Sequence, residues 1–137
     1  MLQKNEIRLS RPLYNQMIAH LQTHYPLEAC GILAGNDDEM TALYEIDNIL
    51  ESPVAFKMDP QQQLRAMLAI EEQGQEMLAF FHSHPQGPER PSATDIAQAA
   101  YPDTTNVIVS LKNRDAPTTR AFMIEDGRVT EIKLTIT

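Results

Sequence analysis

A single cysteine, Cys30, leaves no partner for an intrachain disulfide and no basis for a multi-cysteine metal cluster. Long apolar runs are missing as well: no stretch approaches the roughly 20 residues that a membrane-spanning helix needs. The opening residues Met1 to Ser10 carry Lys4, Glu6 and Arg8 among their apolar positions, which is not the core of a secretory signal. Internal repeats, low-complexity tracts and linker-like runs are also lacking. Positive charge is scarce. The chain has 11 Lys and Arg against 19 Asp and Glu, a net charge of −8. Between Glu28 and Asp103 there are 14 acidic residues and three basic ones, Lys57, Arg65 and Arg90. Such a span repels a phosphate backbone, so nucleic acid is not expected as a partner, and a solvated acidic surface accounts for the excess. These absences lead to the expectation of a soluble, cytoplasmic protein with no membrane partner.

What is present suits one ordinary domain over residues 1–137. Hydrophobic residues make up 42 % and charged residues 22 % of the 137, enough apolar material for a core without covalent staples. Glu6 to Leu9 reads as a short strand. Leu13, Met17, Ile18 and Leu21 recur at helical spacing behind Pro12, which predicts an amphipathic helix over residues 12–24. Ala29 to Gly35 is a short apolar run closed by Asn36-Asp37-Asp38, a buried strand followed by a turn. Residues 40–50 read as a second strand with Ala42, Tyr44 and Ile46 on one face. Asp59 and Pro60 form a helix start, with Leu64, Met67, Leu68 and Glu71 continuing to Gln73 before Gly74 stops it.

Met77 to Phe81 is continuously apolar, as in a central strand, and runs into His82-Ser83-His84-Pro85. A loop rich in proline and glycine leads to a short helix from Ser92 to about residue 100. Asn106 to Leu111, Thr119 to Ile124 and Val129 to Thr137 are three further strands, the last two joined by the hairpin signal Asp126-Gly127. The expected fold class is α/β: a single-domain, curved mixed β-sheet flanked by helices.

The chemistry concentrates around His82. Alternate residues of a strand point the same way, so His82 and His84 emerge together and can both ligate one divalent ion. A His-x-His pair alone is better explained by ordinary surface or hydrogen-bonded histidines. Downstream, Ser92-Ala93-Thr94-Asp95 has the form of a capping box. The same segment can fold Asp95 back as a third ligand, and two histidines, one carboxylate and an open fourth position are the pattern of a catalytic zinc site. A metal-activated water needs a base, for which Glu28, just before the buried strand, is the candidate, with Glu6, Glu45 and Glu89 as formal rivals. Cys30 reads as a small packed residue, Ser83 as a structural one facing away from the pair, and the methionines as core filler. His20 and His24, four apart on the first helix and without an evident acidic partner, read as surface residues.

Glu28, His82-Ser83-His84-Pro85 and Ser92-x-x-Asp95, with ten residues between His84 and Asp95, resemble the signature of the JAMM (MPN-plus, Mov34/PAD-1) zinc metalloproteases. Pro26-x-Glu28-x-Cys30-Gly31-x-Leu33-x-Gly35 is similar to that family's glutamate-bearing segment, and Phe56-x-Met58-Asp59-Pro60 to the start of its second helix. The likeness spans roughly residues 6–125 and leaves no signature position unfilled, unlike the inactive MPN branch. It implies the MPN/JAB, cytidine-deaminase-like three-layer arrangement and one Zn²⁺ per chain held by His82, His84 and Asp95. It further implies that Glu28 is the general base and then acid, and that Ser92 donates to the oxyanion, a contribution of about 3–4 kcal/mol where such donors have been removed.

The resemblance also implies a substrate: an amide or isopeptide bond at the C-terminal tail of a ubiquitin-like protein. The compact length favours processing or deconjugation of a prokaryotic sulfur-carrier or ubiquitin-like protein over recognition of ubiquitin linkages. A homodimer is admissible. Two alternatives stand beside this reading: a non-catalytic interaction module on the same fold, and a RadC-like protein with a similar signature.

Overall fold

Seven strands and three helices make up the computed structural model, which describes residues 4–137; Met1 to Gln3, part of the expected 1–137 domain, lie outside the described residues. In order they are β1 (Glu6–Leu9), α1 (Arg11–His24), β2 (Cys30–Asn36), β3 (Glu39–Ile46), α2 (Pro60–Glu72), β4 (Glu76–His84), α3 (Ala93–Gln98), β5 (Thr105–Ser110), β6 (Thr118–Glu125) and β7 (Arg128–Ile136). The strand order is β1-β3-β2-β4-β5-β6-β7, mixed in direction, with β4 central and parallel to β5. The curvature goes further than the sequence indicates. β1 pairs in parallel with both β3 and β7, so the sheet closes into a barrel.

Local sequence explains most of the elements. Ser10 caps α1 by accepting from the Leu13 amide, with Pro12 in the first turn. Asp59 caps α2 through the amides of Gln61 and Gln62. Asp126 and Gly127 both have positive φ, 50° and 76°, as the tight β6–β7 turn requires. One strand boundary needs correction. β3 stops at Ile46, not residue 50, because the Asn48 side chain takes over hydrogen bonds that a ladder would make and folds the following residues into a loop. On α2 the buried residues are Ala66 and Ile70, whereas Leu64 and Leu68 are more than half exposed.

Period-two alternation splits the core. On one side of the sheet Leu33, Ala79, Phe81, Val107 and Val109 pack with Met17 and Leu21 of α1. On the other, Cys30, Ile32 and Ala34 pack with Ile46 and with Ala66 and Ile70 of α2. Gly31 makes the first side possible: a Cβ there would collide with the Phe81 ring and stand 2.5 Å from the Tyr44 carbonyl oxygen. Among the described residues no helix is long and apolar enough to cross a membrane.

Candidate metal centre

The C-terminal end of β4 carries His82 and His84, 3 % and 5 % exposed. Both lie on the β4 face opposite Phe81, and their Nε2 atoms are 3.1 Å apart. Asp95, in the first turn of α3, brings its Oδ2 to 3.2 Å from His82 Nε2 and 3.1 Å from His84 Nε2. The capping box is real: Ser92 Oγ accepts from the Asp95 amide at 3.0 Å, and the Ser92 amide donates to Asp95 Oδ2 at 2.9 Å. The cap aims the carboxylate at the two histidines, so it is compatible with Asp95 as a third ligand.

The donor set fits a cation. His84 Nδ1 lies 2.7 Å from the Pro88 carbonyl oxygen, which can only accept, so Nδ1 carries the proton and a neutral His84 presents a bare lone pair at Nε2. Opposite it stand a second imidazole nitrogen and a carboxylate oxygen, acceptors crowded to 3.1–3.2 Å. Three lone pairs converging in a buried site require protons or a positive ion between them. Burial holds His82 below the usual imidazole range. Burial also opposes charge on His84, but its hydrogen bonds to Asp95 and Pro88 carry it above that range. Burial alone would raise Asp95; its bonds with His82 and His84 outweigh that and hold the carboxyl well below the ordinary value.

Glu28 reaches this centre from the neighbouring strand. β2 pairs antiparallel with β4, Cys30 opposite His82. The register continues one residue beyond β2, where the Ala29 amide donates to Ser83 Oγ and the Ser83 amide to the Ala29 carbonyl, each at 3.0 Å. Glu28 is thereby brought alongside His84, and Glu28, His82 and His84 offer ligand atoms within 4.8 Å of one another. Its side chain is 5 % exposed and Oε1 has no hydrogen-bond partner. Burial, opposed by His84 and reinforced by Asp95, pushes its carboxyl up to about 7.

Two of the rivals for the base are elsewhere. Glu6 accepts from Thr135 Oγ1 at the β1–β7 seam, and Glu45 faces His20. Among the described residues no hydrogen bond or ion pair ties Glu89 to the centre. Ser83 is fully buried and structural as expected. Cys30 is fully buried too, its thiol pushed up to about 12 first by burial and then by Asp47 and Glu28, so it is inert. His20 is a correction: it is 7 % exposed, donates from Nε2 to the Cys30 carbonyl at 2.9 Å, and has Glu45 Oε1 3.6 Å from its Nδ1. The acidic partner comes from β3, which helical spacing on α1 cannot reveal. His24 is exposed as read.

Two cavities flank the centre. One, about 250 Å³, is lined by His82 and Asp95 with Phe56, Phe80 and Tyr101. The Phe56 ring stacks on His82 at 4.4 Å. The other, about 430 Å³, is lined by Glu28, Asp47, Glu51 and Asp59 together with Leu27, Ile46 and Ile49. Sequence reasoning missed Pro88 and Asn48. Pro88 acts through its main chain, which leaves no residue signature, and Asn48 acts across the fold.

Known proteins resemble this chain closely. Residues 10–125 match the family described as prokaryotic homologs of the JAB domain. A protein of Mycobacterium tuberculosis named CysO-cysteine peptidase is 35 % identical over 121 residues, covering 87 % of this chain and 83 % of its own. A Thermus thermophilus protein named probable TtuB-protein conjugate cleaving protease is 34 % identical over 119 residues, 86 % and 76 % of the two chains. The solution structure of a protein from Desulfitobacterium hafniense superposes with a TM-score of 0.87 at 36 % identity, over 96 % of this chain and 92 % of that one.

Proposed function

Because the chain belongs to the prokaryotic JAB-domain family, we propose that it is a zinc-dependent peptidase or isopeptidase acting at the C-terminal tail of a ubiquitin-like or sulfur-carrier protein. The names of its relatives, a CysO-cysteine peptidase and a TtuB-conjugate cleaving protease, support that substrate class. In this reading the chain is one catalytic domain working in the cytoplasm. The observation that carries it is the convergence of His82 Nε2, His84 Nε2 and Asp95 Oδ2, with the buried, unpartnered Glu28 carboxyl beside them.

His82, His84 and Asp95 would hold the zinc, which when bound supplies Lewis acidity toward the scissile carbonyl and activates water. The remaining steps fall to the chain's own side chains. Glu28, whose buried Oε1 has no hydrogen-bond partner, takes a proton from the attacking water and hands it to the leaving nitrogen. Ser92 Oγ already accepts from the Asp95 amide, so its hydroxyl proton is free to be donated to the oxyanion. Pro88 keeps the His84 proton on Nδ1 and its lone pair on the metal side.

Metal analysis by mass spectrometry with and without Asp95→Ala tests the centre: about one zinc per chain is expected in the parent and little in the variant. Glu28→Gln should keep its zinc and lose at least about 100-fold in turnover of a sulfur carrier extended beyond Gly-Gly. Undiminished cleavage by that variant would remove Glu28 as base, and a parent without zinc after reloading would favour the interaction-module alternative.

A further inference from the structure

Asn48 uses both ends of its amide fully. Nδ2 donates to the Glu28 carbonyl and to the Ala55 carbonyl, each at 3.0 Å. Oδ1 accepts from the Leu50 and Lys57 amides, also at 3.0 Å. Two donors and two lone pairs are therefore engaged, and only this orientation of the amide satisfies them. Main-chain bonds run alongside: the Glu28 amide donates to the Ser52 carbonyl and the Ile49 amide to the Lys57 carbonyl, both at 2.9 Å. Phe56 lies between Ala55 and Lys57, the two residues Asn48 binds, and its ring covers His82. One side chain thus ties the backbone of Glu28 to the loop wall that rests on a histidine of the centre.

We propose that Asn48 is a positioning residue for hydrolysis, fixing the main chain of Glu28 against the Phe56 segment so that the carboxyl keeps its reach to the histidines. The proposal rests on the peptidase reading above. A loop organiser with no further role would hold residues 49–57 and reach Glu28 only through the Ser52 carbonyl that its amide meets, leaving the Glu28 carbonyl unaffected. The two roles separate because Asn48 holds the loop through both its oxygen and its nitrogen, but Glu28 through the nitrogen alone.

Asn48→Asp keeps an acceptor for the Leu50 and Lys57 amides and loses the donor to Glu28; Asn48→Ala loses everything. Both would be compared with the parent by zinc content, thermal unfolding, amide hydrogen exchange, and kcat and KM on a sulfur carrier bearing a fluorescent lysine after Gly-Gly. Asn48→Asp should keep its zinc and the protection of the Leu50 and Lys57 amides. Exchange at the Ala29 amide, which shares its peptide plane with the Glu28 carbonyl and donates to Ser83 Oγ, should accelerate at least about tenfold, and kcat should fall about 10- to 100-fold with KM within about twofold, as expected for a misplaced reacting group. Asn48→Ala should add a rise in KM as the loop loosens.

Unchanged exchange at the Ala29 amide in both variants overturns the proposal. So does an Asn48→Asp kcat within about twofold of the parent, or a kcat loss matched by loss of zinc. A parent that does not cleave the probe strikes the peptidase reading instead, and the exchange measurement then decides the coupling by itself.

Discussion

Burial of a carboxyl beside two imidazoles governs the acid–base behaviour of Glu28. Its folded value near 7 lies above the ordinary 4.5, so the folded state binds the proton more tightly than the unfolded chain. The stability contribution is complete below about pH 4.5 and is lost as pH rises through 7, up to about 3 kcal/mol in the metal-free protein. Glu28→Gln has no such proton to lose. The metal-free variant should therefore gain on the parent from under about 1 kcal/mol at pH 5 to about 3 kcal/mol at pH 8, read from urea midpoints. A stability difference that does not change with pH would show that Glu28 is not desolvated. At this scale the sequence was eloquent where chemistry sits in a local pattern. His82 and His84 share a face by strand alternation, and Ser92 and Asp95 form a cap by helix rules. It was silent where partners are distant or main-chain. Neither the Glu45 carboxylate beside His20 nor the Pro88 carbonyl under His84 leaves a trace in nearby residues.

Among the elements, β2 leaves no room for a side chain at Gly31. Gly31→Ala would drive a methyl into the Phe81 ring and the Tyr44 carbonyl, and a stability loss of about 2–3 kcal/mol is expected. Phe81→Leu in the same chain should recover only part of it, because the Tyr44 oxygen belongs to the backbone; full recovery would mean that the ring alone sets the limit. On α2 the helical spacing of Leu64 and Leu68 was legible but their burial was not, since both patterns available on that helix look amphipathic until the sheet selects Ala66 and Ile70. Leu68→Gln should change stability by less than about 0.5 kcal/mol, whereas Ile70→Ala should cost about 2–4 kcal/mol. The reverse order would place the core on the other face.

For the molecule as a whole, the proposed zinc ligands come from β4 and α3, so an ion held there stabilises the fold by mass action. Chelation of the loaded protein should lower Tm by about 5 °C or more at zinc concentrations about 100 times its Kd, and Asp95→Ala should show almost no response to chelator. Equal shifts in both proteins would put the metal elsewhere. The mixed sheet and its helices were readable from alternation and caps, but its closure was not. The parallel pairing of Glu6 with Lys133 and of Leu9 with Ile136 joins strands that are nowhere near each other in the chain, and such contacts carry no local signature. That seam also has a price in time. A strand made among the first residues waits for one made among the last, and so non-local a pairing should slow refolding. Nascent chains that stall before residue 128 would expose the outer edge of β6 and the unmatched side of β1 to the chaperones and neighbours around the ribosome.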